Sequence, residues 1–252
     1  MNVNELVAID VHAHAEVSCR QPEDDYAQEF EDAKKKYFKS GQPPTIAETI
    51  EYYRERKIGL IMFTVDSEFE IGRRRIANEE IAEAANANSD MMMAFGSIDP
   101  HKGKLGVREL RRMIDEYGVK GFKFHPTCQG FYPNDRMAYP MYEVIAEAGL
   151  PAIFHSGHSG VGTGMPGGGG LRLKYSNPIH LDDVAADFPD MKIIIAHPQL
   201  QGFRRWVLST KDAHGLYERF GFIPLHRPER WMERPDPNMK ESPDYWNPTD
   251  TV

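Results

Sequence analysis

Five histidines in the sequence stand at or just after the ends of short apolar segments. His12 and His14 follow the first such segment, and His125, His155 and His197 each follow a later one. Side chains two residues apart on a β-strand point to the same side, so the first two imidazoles are expected to face one way. Neutral imidazole nitrogens are ligands for zinc, and also for manganese, iron or nickel. The spacing therefore predicts a site for a divalent cation.

Short apolar segments rich in Val, Ile and Phe recur along the chain, and helical patterns separate them. We predict strands at Leu6–Val11, Gly59–Val65, Met91–Ile98, Val119–Phe124, Pro151–Phe154 and Lys192–Ala196. This alternation is typical of βα units that form a parallel sheet covered on both faces. In a parallel barrel the carboxyl ends of the strands converge on one face, where barrel active sites lie. The five histidines are therefore expected to meet there.

Capping signals and apolar periodicity predict the helices between the strands. Thr45-Ile46-Ala47-Glu48 is a capping box that opens a helix to about Lys57. Asn177-Pro178 are predicted as the cap and first residue of a helix through Asp187. The other predicted helices are Ile76–Asn88, Leu105–Tyr117, Met137–Ala148 and, within an insertion at Gln21–Pro44, a helix near Asp24–Phe38.

Glycines dominate the segment that follows His155, where eight of them stand between Gly157 and Gly170. Glycine loses more conformational freedom on folding than any other residue, so such a segment is costly to order. It is predicted to be a mobile lid, a substrate loop or a plain flexible connection.

Composition narrows the class of protein. The chain has 252 residues, of which 40% are hydrophobic, and a formal net charge of −8. That charge argues against an extended nucleic-acid surface, and no apolar run approaches the roughly 20 residues that a membrane span needs. Cys19 and Cys128 have no CxxC spacing, so neither a disulfide framework nor a cysteine zinc site is predicted. The N-terminus lacks a basic signal-peptide region, which favours the cytoplasm.

With these strand-end histidines, residues 1–198 resemble the amidohydrolase superfamily, in its amidohydrolase-2 branch of hydrolases and decarboxylases. The resemblance implies an α/β fold, a metal-dependent (β/α)8 barrel of the TIM type. It implies His12, His14 and His155 as metal ligands. His197 matches the histidine that orients or polarises the substrate, and Lys123 lies where binuclear relatives carry a carboxylated lysine.

The catalytic residues are therefore predicted to be His197, Lys123 and His125. The segment from Gly170 to Pro178 is similar to 4-hydroxyphenyl-β-ketoacyl-CoA hydrolases. The predicted substrate contacts are His158, Arg172, Lys174 and Tyr175. The two basic side chains would bind an anionic tail, and the tyrosine would form an aromatic wall.

Residues 199–252 depart from the family pattern, because no segment there matches the strand-eight aspartate that binds the metal and acts as base. Their first part resembles the C-terminal strand, helix and strand of a GNAT-type acetyltransferase. We therefore predict an incomplete barrel over 1–198, truncated after strand six, fused to a GNAT-like fragment over 199–252 with a poorly ordered end. The sequence lacks the pyrophosphate loop of acetyltransferases, so acetyl transfer is not expected. Alternatively, a βαβ-like unit over Trp206–Leu225 fills the gap and brings Asp212 to the metal.

Three functions stay open at this point. The first is a metal-dependent hydrolase, in which metal-activated water attacks a carbonyl of a small, aromatic or acyl-CoA, substrate. The second is a decarboxylase on the same scaffold, and the third is an inactive fusion product. Zinc is the expected metal and manganese the alternative. The expected partner is a small-molecule substrate, not a nucleic acid or a membrane, and a homo-oligomer is left open.

Overall fold

The computed structural model describes residues 1–21, 30, 32–33, 35–36 and 41–197. Its strands are β1 (Ala8–His14), β2 (Ile58–Phe63), β3 (Met92–Ala94), β4 (Phe122–Phe124), β5 (Pro151–His155) and β6 (Lys192–Ala196). They confirm the six predicted strands. Of the predicted insertion helix, the described residues Phe30, Asp32, Ala33, Lys35 and Lys36 are helical. Everything predicted for residues 199–252 lies outside the described residues.

The strands follow one another in chain order through two parallel three-stranded sheets, β1-β2-β3 and β4-β5-β6. Gly96 joins the two sheets, because its N–H donates to the Gly121 carbonyl (2.9 Å) and its carbonyl accepts the Lys123 N–H (2.7 Å). A Cβ at position 96 would lie 2.8 Å from the Phe122 ring, so only glycine permits this approach without a shift. The resulting order is that of the first six strands of a (β/α)8 barrel.

Helices connect the successive strands. They are α1 (Ile46–Glu55), α2 (Glu68–Ile71), α3 (Asn78–Ala87), α4 (Gly103–Asp115), α5 (Pro126–Gln129), α6 (Tyr139–Glu147) and α7 (His180–Asp187). Short 3-10 turns occur at Val3–Glu5, Pro100–Lys102, Pro166–Gly170 and Leu173–Ser176. Among the described residues, no helix is long and apolar enough to cross a membrane.

The capping box at the start of α1 is confirmed. Thr45 Oγ1 accepts the Glu48 N–H (3.2 Å), and the Thr45 N–H donates to Glu48 Oε2 (2.8 Å). The helix ends at Glu55, two residues before the predicted end. Lys57 leaves the helix with a left-handed φ of 52°, and its N–H closes a turn to the Arg54 carbonyl (3.0 Å).

Helix α7 begins at His180, later than the predicted start at Pro178. Asn177 Oδ1 accepts the Ile179 N–H at 3.1 Å. The asparagine therefore caps a turn that precedes the helix, which delays the first helical residue.

Of the six strands, only β6 has its predicted bounds, and β1 and β3 differ from theirs the most. β1 runs from Ala8 to His14, so that both of its histidines lie within the strand. β3 ends at Ala94, four residues before its predicted end at Ile98. Backbone contacts to other strands continue at Phe95, whose N–H donates to the Met62 carbonyl (2.9 Å), and at Gly96, but the Ser97 N–H donates to Asn78 Oδ1 (2.9 Å).

The apolar core packs around the central strands. Its largest fully buried side chains include Leu60, Met62, Ile81, Leu110, Phe122, Phe124, Tyr142 and Phe154. The outer strands are different, because Ile9 and Val11 of β1 and Ile195 of β6 are 42%, 48% and 43% exposed. The tightest packing therefore lies around β2 to β5, whereas the strands next to His12, His14 and His197 are less covered.

Candidate metal centre

A bulge near the end of β1 sets the direction of its two histidines. Asp10 lies opposite Leu60 of β2 and Ala13 lies opposite Met62, so that two residues of β1 face one residue of β2. A bulge of this kind leaves its extra residue outside the regular pairing. Here the His12 N–H donates to the side chain of Asp10, at 2.8 Å from Oδ1.

The two imidazoles of β1 come close enough to share one cation. His12 Nε2 lies 3.1 Å from His14 Nε2. Two nitrogens that each lie about 2.0–2.1 Å from a tetrahedral zinc ion are roughly 3.3 Å apart. Both rings rest edge-on against Phe63, with ring centroids 5.1 and 4.9 Å away. The pair is therefore spaced as two ligands of a single ion, with an apolar wall on one side.

Lys123 of β4 lies beside this pair in the interior. Its Nζ is 3.3 Å from His12 Nε2 and 4.9 Å from the centroid of the Phe63 ring, and the side chain is fully buried. Burial lowers the pKa of Lys123 to about 7, because an ammonium group loses its hydration in the interior. Among the described residues, no carboxylate pairs with it.

His155 and His197 reach the same place from β5 and from the end of β6. The His197 ring centroid lies 4.5 Å from that of His12 and 5.5 Å from that of His155. His197 has a φ of 54°, in the left-handed region that a side chain other than glycine seldom adopts. Such a conformation costs on the order of 1 kcal/mol and is common at functional sites.

Three imidazoles of this cluster, those of His12, His155 and His197, favour the neutral form. Burial and the nearby Lys123 lower the pKa of His12 and of His155 to about 3. The pKa of His197 is lowered as well, first by partial burial of its ring and then by Lys123. A neutral imidazole keeps a lone pair for a metal or a proton, so these side chains are free to act as donors or bases at pH 7.

The cluster fits a divalent cation by the type and protonation of its donors. Among the described residues, however, no three His, Cys, Asp or Glu side chains form a ready metal site. His12 and His14 have the required spacing, whereas His155 places its Nε2 3.2 Å from the His158 carbonyl oxygen. Two of the three predicted ligands are thus paired, and the third makes another contact.

His125 lies against this cluster but has its own local contacts. Its ring stacks on that of His155 at 3.8 Å. Its Nδ1 accepts the Cys128 N–H (3.3 Å), which caps helix α5, and its Nε2 lies 3.7 Å from Cys128 Sγ. Both ring nitrogens therefore have partners in the first turn of α5. The catalytic role of His125 stays a prediction.

The predicted substrate residues lie on the segment after β5. Lys174 Nζ lies 4.8 Å from the Tyr175 ring centroid and 5.4 Å from that of Tyr132, and these two rings meet edge-on at 4.8 Å. Arg172 and Lys174 are exposed. Within the described part of the chain, no hydrogen bond or ring contact joins Arg172, Lys174 or Tyr175 to the five histidines. Their role as substrate contacts stays a prediction.

The glycine-rich segment from Gly157 to Gly170 is built from close backbone contacts. Gly167, Gly168 and Gly169 all have φ values between 60° and 66°. A Cβ at Gly162 would lie 2.2 Å from the Gly168 carbonyl oxygen. These glycines are therefore needed for the local conformation, and the roles of lid and substrate loop stay predictions.

An open cleft of about 700 Å³ begins at His12 and His14. Tyr52 and Tyr53 of α1 also line it. Tyr53 Oη donates to Asp10 Oδ2 at 2.5 Å. Neither Asp10 nor Tyr53 is among the site residues predicted from the sequence. Asp10 could have been found from the sequence, because it lies two residues before His12 on the same strand. No local signal indicates Tyr53.

The sequence matches a known protein family over most of its length. A family model described as amidohydrolase matches residues 9–231, which is most of the chain. The chain belongs to the amidohydrolase family. Among curated proteins, none matches its sequence. The family predicted from the strand-end histidines is confirmed.

Solved structures show the same fold for this amidohydrolase. It is similar to an uncharacterised TIM-barrel protein from Bordetella bronchiseptica, with 19% identity and a TM-score of 0.57 over 77% of this chain and 68% of that one. It is also similar to 5-carboxyvanillate decarboxylase from Novosphingobium aromaticivorans, in complex with manganese and 4-hydroxy-3-methoxy-5-nitrobenzoic acid. The identity is 16% and the TM-score 0.50, over 76% of this chain and 65% of that one. A third similar structure is that of 2,6-dihydroxybenzoate decarboxylase, with 16% identity and a TM-score of 0.50 over 75% of this chain and 66% of that one. The chain spans about two thirds of their length.

The family match also bears on the predicted junction near His197-Pro198. The match continues past that point to residue 231. No comparison supports the acetyltransferase-like fragment or the 4-hydroxyphenyl-β-ketoacyl-CoA hydrolase subtype. The truncation after strand six stays a prediction about residues outside the described part of this amidohydrolase.

Proposed function

We propose that the protein is a metal-dependent hydrolase that acts on a carbonyl group of a small substrate. One observation carries this proposal: His12 Nε2 and His14 Nε2 lie 3.1 Å apart, beside the buried amine of Lys123. Two imidazoles spaced for one ion match the histidine ligands of protein zinc sites. His12, His14 and His155 are the residues that would hold the ion, which would be zinc or manganese.

A bound cation would supply Lewis acidity, which polarises a carbonyl oxygen and lowers the pKa of water. The chain supplies the remaining functions. His197 has a lowered pKa and therefore offers a nitrogen that accepts a proton at neutral pH. Lys123, whose pKa is about 7, can hold or release a proton at Nζ in the same range. Phe63 shields the inner side of the histidine pair from water.

Substrate recognition is proposed for two places. The aromatic wall of Tyr52 and Tyr53 borders the cleft that begins at the histidine pair. Lys174, which lies over the rings of Tyr132 and Tyr175, is exposed and could pair with an anionic group of a longer substrate. A substrate with an aromatic or acyl part at the cleft and an anionic group at its far end, near Lys174, would match both.

A second candidate is decarboxylation of an aromatic acid. Lys123 is a buried amine for which the described residues supply no carboxylate partner, and a substrate carboxylate would satisfy it. The similarity in fold to decarboxylases for carboxyvanillate and dihydroxybenzoate supports the same candidate. Protonation of the carbon that loses carbon dioxide would then fall to a group such as Lys123 or His197.

The test begins with metal content and continues with products. Purified protein is loaded with Zn²⁺ or Mn²⁺, and bound metal is measured by mass spectrometry for the wild type and for His12→Ala and His14→Ala. We expect about one ion per chain in the wild type and loss of that ion in both variants. His180→Ala, which removes a histidine outside the cluster, serves as the matched control and should keep its metal.

Product analysis then separates the candidates. Release of 4-nitrophenol from 4-nitrophenyl acetate would support hydrolysis, and release of carbon dioxide from 2,6-dihydroxybenzoate would support decarboxylation. Unchanged metal in both histidine variants would refute the ligand assignment. A wild-type stoichiometry far below one ion per chain would favour the inactive alternative.

A further inference from the structure

A chain of hydrogen bonds connects helix α1 to the bulge in β1. Tyr53 Oη donates to Asp10 Oδ2 (2.5 Å), and the His12 N–H donates to Asp10 Oδ1 (2.8 Å). The two oxygens of one carboxylate therefore have separate partners on two different elements. One partner is the backbone of a residue whose imidazole faces His14.

This carboxylate takes over a contact that the strand pairing has lost. Between Asp10 and Ala13 the register of β1 against β2 shifts by one residue. A bulge leaves a backbone group unpaired and lets the strand bend, so its conformation is poorly fixed by the ladder alone. The bond from the His12 N–H to a side chain two residues earlier closes a local turn and fixes the bend. The direction of the His12 side chain follows from that bend.

Tyr53 fixes the carboxylate in turn. A half-buried aspartate in a strand could rotate about its side-chain bonds, and a hydrogen bond from a neutral phenol restricts that rotation. Tyr53 belongs to α1, and the capping box of Thr45 and Glu48 holds the start of that helix. The adjacent Tyr52 does not take part, since it is 54% exposed and its ring packs against Arg56.

We propose that Asp10 and Tyr53 are positioning residues of the metal centre, which brace the β1 bulge so that His12 Nε2 meets His14 Nε2 at the spacing of two ligands. This inference rests on the proposed function, since it assigns the bracing to a metal site. Neither residue touches the reacting atoms. Their effect is on the affinity for the ion, because a misdirected ligand binds more weakly.

Affinity for Mn²⁺ is the first measurement. It is determined on metal-free protein by competition with a chromophoric chelator, for wild type, Asp10→Ala, Tyr53→Phe and Tyr52→Phe. Partners of metal ligands typically contribute 10- to 100-fold to metal affinity, so we expect a loss of about tenfold in Tyr53→Phe and more in Asp10→Ala. Tyr52→Phe is the matched control and should bind like the wild type.

Hydrogen exchange of the His12 amide is the second measurement, and it needs no metal. Asp10→Ala removes the acceptor of this N–H, so its exchange should accelerate about tenfold or more, whereas Tyr53→Phe keeps the acceptor and should accelerate it less. If Asp10→Ala does not fold, Tyr53→Phe still tests the affinity, because it removes a single oxygen.

The outcomes separate this inference from the proposed function. Normal Mn²⁺ binding by the wild type, with unchanged affinity in Tyr53→Phe and Asp10→Ala, would overturn the inference and leave the proposed function standing. An equal loss in Tyr52→Phe would also overturn it. A wild-type chain that binds no Mn²⁺ would count against the proposed function, and the exchange of the His12 amide would then decide the bracing role by itself.

Discussion

Lowering the pH from 7 to 5 should destabilise the metal-free protein through the histidines of the candidate site. The pKa of His12 and of His155 is lowered from 6.5 to about 3 in the folded chain, because burial and the neighbouring Lys123 disfavour the charged ring. The unfolded chain takes up protons at these residues once the pH falls below about 6.5. The folded chain does not, until the pH approaches 3. Acid therefore favours unfolding across this window.

The size of the effect follows from the difference in proton uptake. For a pKa of 6.5 in the unfolded state and about 3 in the folded state, each histidine lowers the free energy of unfolding by about 2 kcal/mol between pH 7 and pH 5. His12 and His155 together should therefore lower the free energy of unfolding by about 4 kcal/mol over this interval. The lowered pKa of His125 and of His197 acts in the same direction. Such a loss is a large part of the stability of a typical domain.

The assay is urea unfolding at the two pH values in the presence of a chelator. Far-UV circular dichroism is the suitable signal, because Trp206, Trp231 and Trp246 all lie outside the described residues. In His12→Gln and in His155→Gln, the difference between pH 7 and pH 5 should shrink by about 2 kcal/mol each. A difference below about 1 kcal/mol in the wild type, or one that neither substitution reduces, would refute the argument that these rings are held neutral.

Three further predictions concern the sheet, the buried lysine and the metal. Gly96→Ala should destabilise the fold by about 1–3 kcal/mol in urea unfolding, because its Cβ would meet the Phe122 ring at 2.8 Å. Gly41→Ala, at a position with nothing within 4 Å, is the control and should have little effect. Lys123→Met should raise the free energy of unfolding at pH 7 by roughly 2–4 kcal/mol, because it removes a buried amine whose pKa is lowered to about 7. The free energy of unfolding of the wild type should rise between pH 7 and 9, and Lys123→Met should lack this rise. An equal rise in the variant and the wild type would contradict the prediction. Removal of bound metal with a chelator should lower the melting temperature, and added Mn²⁺ should restore it. A melting temperature that does not change with metal would contradict the assignment of a metal site.

The sequence predicted the parts of the fold that depend on local pattern. Alternating apolar segments and helical periodicity gave the six parallel strands, and parallel strands place their carboxyl ends on one side. The meeting of His12 with His197, at a ring distance of 4.5 Å, follows from that rule. The capping box at Thr45 likewise depends only on neighbouring residues, and it was predicted correctly.

The sequence did not predict the features that depend on contacts between elements. The bulge in β1 arises from its pairing with β2, and no residue within β1 predicts it. The bond from Tyr53 to Asp10 joins residues 43 positions apart, which no periodicity relates. The direction of His155 is set by the His158 carbonyl in the following loop. Side-chain direction at the site is therefore a tertiary property, although the choice of side chains is visible in the sequence.

The connection through Gly96 divides the candidate site between two halves of the chain. His12 and His14 belong to the half that precedes this link, whereas Lys123, His155 and His197 belong to the half that follows it. A polypeptide interrupted in the turn at Gly118 would leave an incomplete set of donors on each fragment. Tight uptake of a cation would then require the fragments to reassociate, so that metal titration would serve as a complementation assay for assembly of the barrel.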